Sequence, residues 1–171
     1  GAYSPTPLVS KNCLKRIIKE IIEPTINELN KKNIEYRGVL YFGLMITASG
    51  PKVIEYNCRF GDPECQTIMP LMSKDFVFLL QKCAMGELVG NEKINASDNV
   101  SGCVILTSKG YPLEYKTGYP ISIGKIDSNN IQIFDSGTRF DQNGKVITDG
   151  GRVMSIVCQE LDFDKVFEKA Y

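Results

Sequence analysis

The chain has 171 residues, and its twenty basic side chains cancel its twenty acidic ones. That length can core one ordinary domain or two small ones, and the balanced charge offers no basic field for a nucleic acid backbone or an anionic membrane. No apolar stretch nears bilayer-spanning length, no signal-like N-terminus is seen, and the lack of histidine excludes Ser-His-Asp and Cys-His catalysis within the chain.

The expected setting is therefore soluble and cytoplasmic. Cys13, Cys58, Cys65, Cys83, Cys103 and Cys158 form no C-x-x-C pair, and no histidine is present to complete a zinc site. They read as free, reduced thiols. Three fall inside predicted strands beside Val or Ile, as buried thiols do, and Cys65, next to a helix start, is the candidate for reactivity.

The chain opens on Gly1-Ala-Tyr-Ser-Pro-Thr-Pro7, which reads as a loop and, lacking an initiating Met, as a piece of something longer. Leu14, Ile17, Ile18, Ile21, Ile22, Ile26 and Leu29 then recur at helical spacing. Ser10 is the expected N-cap, Pro24 a kink or break, and the stripe a core face rather than a partner-binding one. Val39 to Ile46 is a near-continuous apolar run, as in a strand covered on both faces. The short turn Ser49-Gly50-Pro51 leads into a second strand, Lys52 to Arg59, and implies an antiparallel pair.

Within that second strand Glu55, Asn57 and Arg59 stand at every other residue. Alternate side chains of a strand leave on opposite faces, so a carboxylate, an amide oxygen and a guanidinium would share one side. Mg²⁺ takes hard oxygen ligands, one or two from protein and the rest from phosphate and water, and the Arg fork suits a carboxylate or phosphate. Ile54, Tyr56 and Cys58 would form the opposite, buried face. The same triplet also suits a half-exposed strand whose polar face meets water.

The continuation Phe60-Gly-Asp-Pro-Glu-Cys-Gln66 reads as a sharp strand-to-helix turn. Gly61 would make the turn, Asp62 the N-cap and Pro63 the first helical position, with the helix running through Thr67, Ile68 and Leu71. Its N-terminus would then offer N–H groups to an anion just beyond Arg59. Asp62-Pro63-Glu64 is equally plain helix capping.

A further helix is expected from Lys74 to Met85, stopped by Gly86. The polar stretch Gly90 to Asn99 marks a boundary, dividing residues 1–92 from a small β-rich domain over 93–171. Its strands are expected at Val100–Thr107, Ile121–Ile126, Ile131–Phe134, Lys145–Thr148 and Val153–Gln159, with hairpin turns at Asp141–Gly144 and Asp149–Gly151. A closing helix spans Asp162 to Tyr171, capped by Asp162 and carrying Phe163, Val166, Phe167 and Ala170. The fold class is α+β.

Glu55-x-Asn57-x-Arg59 resembles the metal strand of ATP-grasp ligases. The longer string Val53-Ile-Glu-Tyr-Asn-Cys-Arg-Phe-Gly-Asp-Pro-Glu64 resembles the glycinamide ribonucleotide synthetase (phosphoribosylamine–glycine ligase) family. Gly1-Ala-Tyr-Ser-Pro5, Gly38 to Met45, Ser108-Lys-Gly-Tyr-Pro112, Ser136-Gly-Thr138 and Gly150-Gly-Arg-Val153 follow in the same order, so the likeness covers essentially the whole chain.

The resemblance implies the C-terminal portion of an ATP-grasp domain followed by most of a β-rich C-terminal domain. It implies a ligase that uses ATP and Mg²⁺ (or Mn²⁺) to join glycine to 5-phosphoribosylamine through a glycyl phosphate in purine synthesis. Glu55 and Asn57 would bind the metal and ATP phosphates, and Arg59 would be the catalytic group on glycine or the acyl phosphate. Gly1, Ala2, Tyr3, Ser4, Pro5, Asp62, Glu64 and Arg152 would border the substrates, Arg152 being equally readable as a surface salt bridge. Fusion to later purine-pathway domains is implied for some members. The chain would be half an active site, inactive alone, because the groups gripping adenine lie upstream.

Three positions depart from the family pattern. Val39 to Leu44 lacks the acid that many ATP-grasp enzymes carry before the metal strand, Asp135-Ser136-Gly137 lacks a usual histidine, and Leu113 replaces a usual glycine. Two alternatives stand beside the ligase. One is a purine carboxylase or formate-using sibling, disfavoured by the string after Arg59, and the other a non-catalytic binding or assembly module.

Overall fold

The computed structural model describes residues 1–126 and 129–171. These fall into two compact units: residues 1–5, 62–72 and 96–171 form the first, and residues 6–61 and 73–95 the second. The chain thus passes between units four times, rather than once near the polar stretch at 90–99.

The first unit is built on a four-stranded antiparallel sheet in the order β1 (Ala2–Ser4), β4 (Val100–Thr107), β8 (Arg152–Glu160), β5 (Ile131–Asp135). The expected opening loop is therefore an edge strand, pairing Ala2, Tyr3 and Ser4 with Cys103, Gly102 and Ser101. Local composition missed it because the partner lies a hundred residues away in the chain. The terminal helix α5 (Phe163–Ala170) covers one face, burying Val166 and Ala170 against Cys158, with Val100, Val104, Ile131 and Ile156 around them.

Gly102 makes that packing possible. A Cβ there would stand 2.5 Å from Cγ1 of Val166, so the helix lies on the sheet only because β4 carries no side chain at that point. Asp162 caps α5 as expected, its carboxylate accepting from the Lys165 N–H at 2.9 Å. Tyr3 sets its ring edge-on to Phe163, centroids 5.3 Å apart, which ties the short edge strand to the same helix.

A small hairpin completes the unit, β6 (Thr138–Phe140) against β7 (Val146–Thr148). The Asp141–Gly144 turn forms as expected, Asp141 accepting from the N–H groups of Asn143 and Lys145 and Gly144 taking φ +77°. Asp149–Gly151 does not close a hairpin. It carries the chain from one sheet to the other, where Gly137 and Gly150 approach so closely that a Cβ on Gly137 would lie 2.6 Å from Cα of Gly150. Ile121–Ile126 forms no strand; the chain runs beside β7 just before it, where Pro120 bridges to Ile147 and the Ile121 N–H donates to the Val146 carbonyl at 2.9 Å.

In the second unit a long helical stretch packs beside a two-stranded hairpin. Helix α1 (Lys11–Ile17), capped by Ser10, continues through a π segment (Ile18–Ile22) into α2 (Glu23–Lys31). Pro24 has no N–H to give and its ring crowds the carbonyl one turn back, and the chain answers by widening: the Glu23 N–H reaches Ile18 O, five residues earlier. Ile17 and Ile21 are buried, whereas Leu14, Ile18 and Ile26 of the same stripe are exposed.

Strands β2 (Tyr41–Thr47) and β3 (Gly50–Asn57) are antiparallel as expected. Neither is covered on both faces: Met45, Ile46, Ile54 and Tyr56 are all exposed. The two-stranded hairpin thus leaves these apolar side chains exposed among the described residues. Helix α4 (Phe76–Met85) ends at Gly86, which adopts the left-handed conformation expected of a stop.

Two outcomes follow from this packing. Gly102→Ala should lower stability by about 1–3 kcal/mol, the cost of forcing a methyl group into a filled core, read as a fall in the thermal midpoint. The hydrogen bond from the Lys165 backbone holds the Asp162 carboxyl below its usual range. Its stabilisation is present above the ordinary carboxylate range and is lost as pH falls through the lowered value. Asp162→Asn keeps a capping oxygen without a titrating proton, and should flatten the decline in melting temperature below pH ~4.

Candidate functional site

The β2–β3 register decides where the polar triplet goes. Gly43 pairs with Glu55 and Leu44 with Val53, so Ile54 is the extra residue of a β-bulge. The bulge breaks simple alternation. Val53 and Tyr56 line one groove against α2, with Tyr56 Oη 3.4 Å from Thr25 Oγ1, so the expected face of Ile54, Tyr56 and Cys58 is neither regular nor buried.

Glu55 and Asn57 are brought together. Asn57 donates from Nδ2 to Oε1 of Glu55 at 3.0 Å, which places carboxylate and amide side by side at the end of β3. Arg59 lies past the strand, which ends at Asn57, and its Nη1 donates to the Phe60 carbonyl at 2.8 Å. The third member of the triplet is therefore set by the turn and not by the pleat.

The pair fits a magnesium or manganese ion bound chiefly through phosphate. Such an ion needs one or two hard protein oxygens, and this edge supplies a carboxylate and an amide in contact. No group of three or more Cys, Asp or Glu able to hold a metal occurs among the described residues, so a closed all-protein cage is not what this hairpin offers.

The remaining candidates belong to the first unit. Helix α3 (Glu64–Ile68) has five residues and passes into a 3-10 turn at Met69–Leu71. Pro63, not Asp62, occupies the capping position, and no side chain caps the helix. Asp62 instead accepts from Nε2 of Gln66 at 2.8 Å. A helix this short carries little dipole, so the anion-binding terminus expected beyond Arg59 is absent.

Asp62 is also the partner of Arg152. Nη1 of Arg152 donates to the Asp62 carbonyl at 2.9 Å and stands 3.4 Å from its carboxylate, while Nε donates to the Tyr111 hydroxyl at 3.2 Å. The Tyr111 hydrogen bond, aided by the charges of Asp62 and Glu64, makes the guanidinium harder still to deprotonate. The Tyr111 ring in turn occupies the space that a side chain on Gly151 would need, since a Cβ there would lie 2.3 Å from Tyr111 Cδ2. Gly1 to Pro5 form the edge strand and its exit; a Cβ on Gly1 would lie 2.3 Å from the Cys103 carbonyl oxygen.

Sequence reasoning missed two residues in these arrangements. Gly43 faces Glu55 directly, and a glycine inside an apolar strand is itself a sign of close approach. Tyr111, which orients Arg152, gave no such sign. A recess of about 760 Å³ in the first unit, lined by Lys109, Tyr115, Lys116 and Tyr119, contains none of the expected site residues.

Residues 1–65 match the family model described as phosphoribosylglycinamide synthetase, ATP-grasp (A) domain, and residues 101–171 match its C domain. The chain belongs to the phosphoribosylglycinamide synthetase family. Across its full length it is 42% identical to a phosphoribosylamine–glycine ligase of Caldanaerobacter subterraneus, covering 40% of that protein. It is 39% identical to the trifunctional purine biosynthetic protein adenosine-3 of Gallus gallus, with 99% of the chain and 17% of the relative aligned. The crystal structure of a phosphoribosylamine–glycine ligase from Thermotoga maritima superposes with a TM-score of 0.84 at 29% identity, over 99% of this chain and 41% of that one. A biotin carboxylase from Campylobacter jejuni, at 17% identity over 98% of this chain and 36% of its own, shares the fold alone with a TM-score of 0.63. The chain thus spans about 40% of the bacterial synthetases it matches, and its α+β architecture is that of ATP-grasp proteins.

The cysteines divide by burial. Cys103 and Cys158 are buried in β4 and β8, and burial pushes both thiols up. Burial, with the nearby Asp62 charge, also pushes up the Cys65 thiol, which opposes the reactivity expected of it. Alkylation followed by mass spectrometry should label exposed Cys58 first, Cys65 more slowly, and Cys103 and Cys158 only after unfolding.

Proposed function

We propose that this chain carries the metal-holding part of an ATP-dependent ligase that joins glycine to 5-phosphoribosylamine. The observation that carries the reading is the contact of Glu55 with Asn57 at the end of β3, in a chain whose two halves match the two domains of one synthetase family in order. Purine synthesis is the setting that the relatives' names support, and the trifunctional vertebrate relatives support fusion to later purine-pathway domains in some members.

In this reading a glycine carboxylate oxygen attacks the γ-phosphorus of ATP and ADP leaves. The amine of phosphoribosylamine then attacks the acyl carbon of glycyl phosphate, and inorganic phosphate leaves. Glu55 and Asn57 hold Mg²⁺ or Mn²⁺, which when bound reduces the phosphate charge that repels the carboxylate. Arg59, just past the strand, directs its guanidinium to the glycine carboxylate or the acyl phosphate, where charge builds during transfer.

Gly1, Ala2, Tyr3, Ser4 and Pro5 border the phosphoribosylamine. Asp62, Glu64 and Arg152 act together: Arg152, tied to Asp62 and Tyr111, fixes the turn before α3 and presents its remaining donors to phosphate. The ion pair itself is half exposed and adds little stability, so its value lies in position.

The bare apolar faces of β2 and β3 agree with a sheet that continues in the rest of the enzyme, because a two-stranded hairpin rarely stands alone. The 171 residues on their own are accordingly expected to show no ligase turnover. The reading carries with it a cytoplasmic setting, and no helix among the described residues is long and apolar enough to cross a membrane.

The test uses the parent protein that contains this chain. Glu55→Ala should abolish Mn²⁺ binding seen by electron paramagnetic resonance and reduce glycine-dependent ATP turnover by about a hundredfold or more, the scale of losing a main electrostatic stabiliser. Unchanged metal binding in that variant would leave the hairpin as structure only, the non-catalytic module.

A further inference from the structure

We infer that Gly43 is a positioning residue for the metal-holding pair: its missing side chain is the notch that lets Glu55 lie against Asn57. The inference rests on the assignment of Glu55 and Asn57 as metal ligands, and it names a residue which that assignment does not include.

Gly43 and Glu55 are direct partners in the antiparallel ladder, and residues so paired send their Cβ atoms to the same face. A Cβ on Gly43 would lie 2.7 Å from Cγ of Glu55 and 3.6 Å from Cδ, closer at Cγ than real side chains come. The atom in conflict is near the root of the Glu55 side chain, not at its flexible end. Cγ moves only by rotation about χ1, and that rotation carries the whole carboxylate with it.

What the carboxylate would lose is specific. Oε1 of Glu55 accepts from Nδ2 of Asn57 at 3.0 Å, and a changed χ1 parts the two groups that the ion requires together. The bulge at Ile54 adds to the constraint, since the ladder shifts register immediately beyond the Gly43–Glu55 pair. Bulges re-aim neighbouring side chains, and here the re-aimed residue is Glu55. Glycine otherwise weakens a strand, through lost entropy and lost packing, so open space for Glu55 is the physical return for having it at this position.

The experiment is a metal titration and a double-mutant cycle on the parent protein. Gly43→Ala should weaken Mn²⁺ binding by about tenfold or more, the usual effect of disturbing a group that orients a ligand, and should raise by a similar factor the Mg²⁺ needed for half-maximal turnover while leaving the glycine KM unchanged. Gly124→Ala, where an added Cβ meets nothing within 4 Å, should change none of these. The melting temperature lost on Gly43→Ala should be recovered when the change is made in a Glu55→Ala background, because the atom in conflict is then gone. An equal loss in both backgrounds overturns the inference, and this readout survives even if the single variant folds poorly. Mn²⁺ affinity unchanged by Gly43→Ala but lost with Glu55→Ala overturns the notch alone. Affinity unchanged by Glu55→Ala overturns the metal assignment beneath it.

Discussion

Gly43 faces Glu55 across a two-stranded hairpin, and one residue further on the ladder slips past Ile54. The polar edge depends on that register. Had β3 alternated without a bulge, Val53 would share a face with Glu55 and Asn57; instead Val53 joins Tyr56 in the groove against α2 and leaves the carboxylate and amide together at the strand end. The strand also stops at Asn57, so the turn rather than the pleat aims Arg59.

The first unit relies on the same device, backbone approaching where side chains are missing. Gly102 lets α5 sit on β4, Gly137 and Gly150 let the chain cross between two sheets, and Gly151 leaves room for the ring of Tyr111 beside Arg152. Each is a place where a methyl group would meet an atom at well under van der Waals distance. The result is that Arg152, Asp62 and Tyr111 are held as one network by packing beneath them, although the ion pair itself is half exposed. Burial is concentrated here, in Val157, Cys158 and Val166, while the second unit shows much of its apolar surface.

Much was legible from residues alone. Ser10 and Asp162 cap their helices, Gly86 ends α4, and Asp141 to Gly144 turn as their chemistry requires, because each effect acts within a few residues. Strands β4, β5 and β8 fell close to where their β-branched runs predicted. Errors came where the deciding partner was distant or missing. Ala2 to Ser4 became a strand through pairing with Ser101 to Cys103, and the apolar run Ile121 to Ile126 meets β7 at Ile121 but forms no strand. Val39 to Ile46 read as fully covered because apolar runs usually are, whereas Met45 and Ile46 at its end are exposed among the described residues.

The sequence by itself determined the family, the α+β class, and that Glu55 and Asn57 would share one side of a strand, since spacing of two and string identity are properties of the chain. Tertiary structure alone decided that Ile54 bulges, that Gly43 is the space opposite Glu55, that Pro63 rather than Asp62 takes the capping position of α3, and that Arg152 is bound to Asp62 and Tyr111. The physical reason is range. Caps, turns and alternation are fixed by neighbours in the chain, but register and close approach are fixed by which distant backbone arrives opposite, and no local pattern records that.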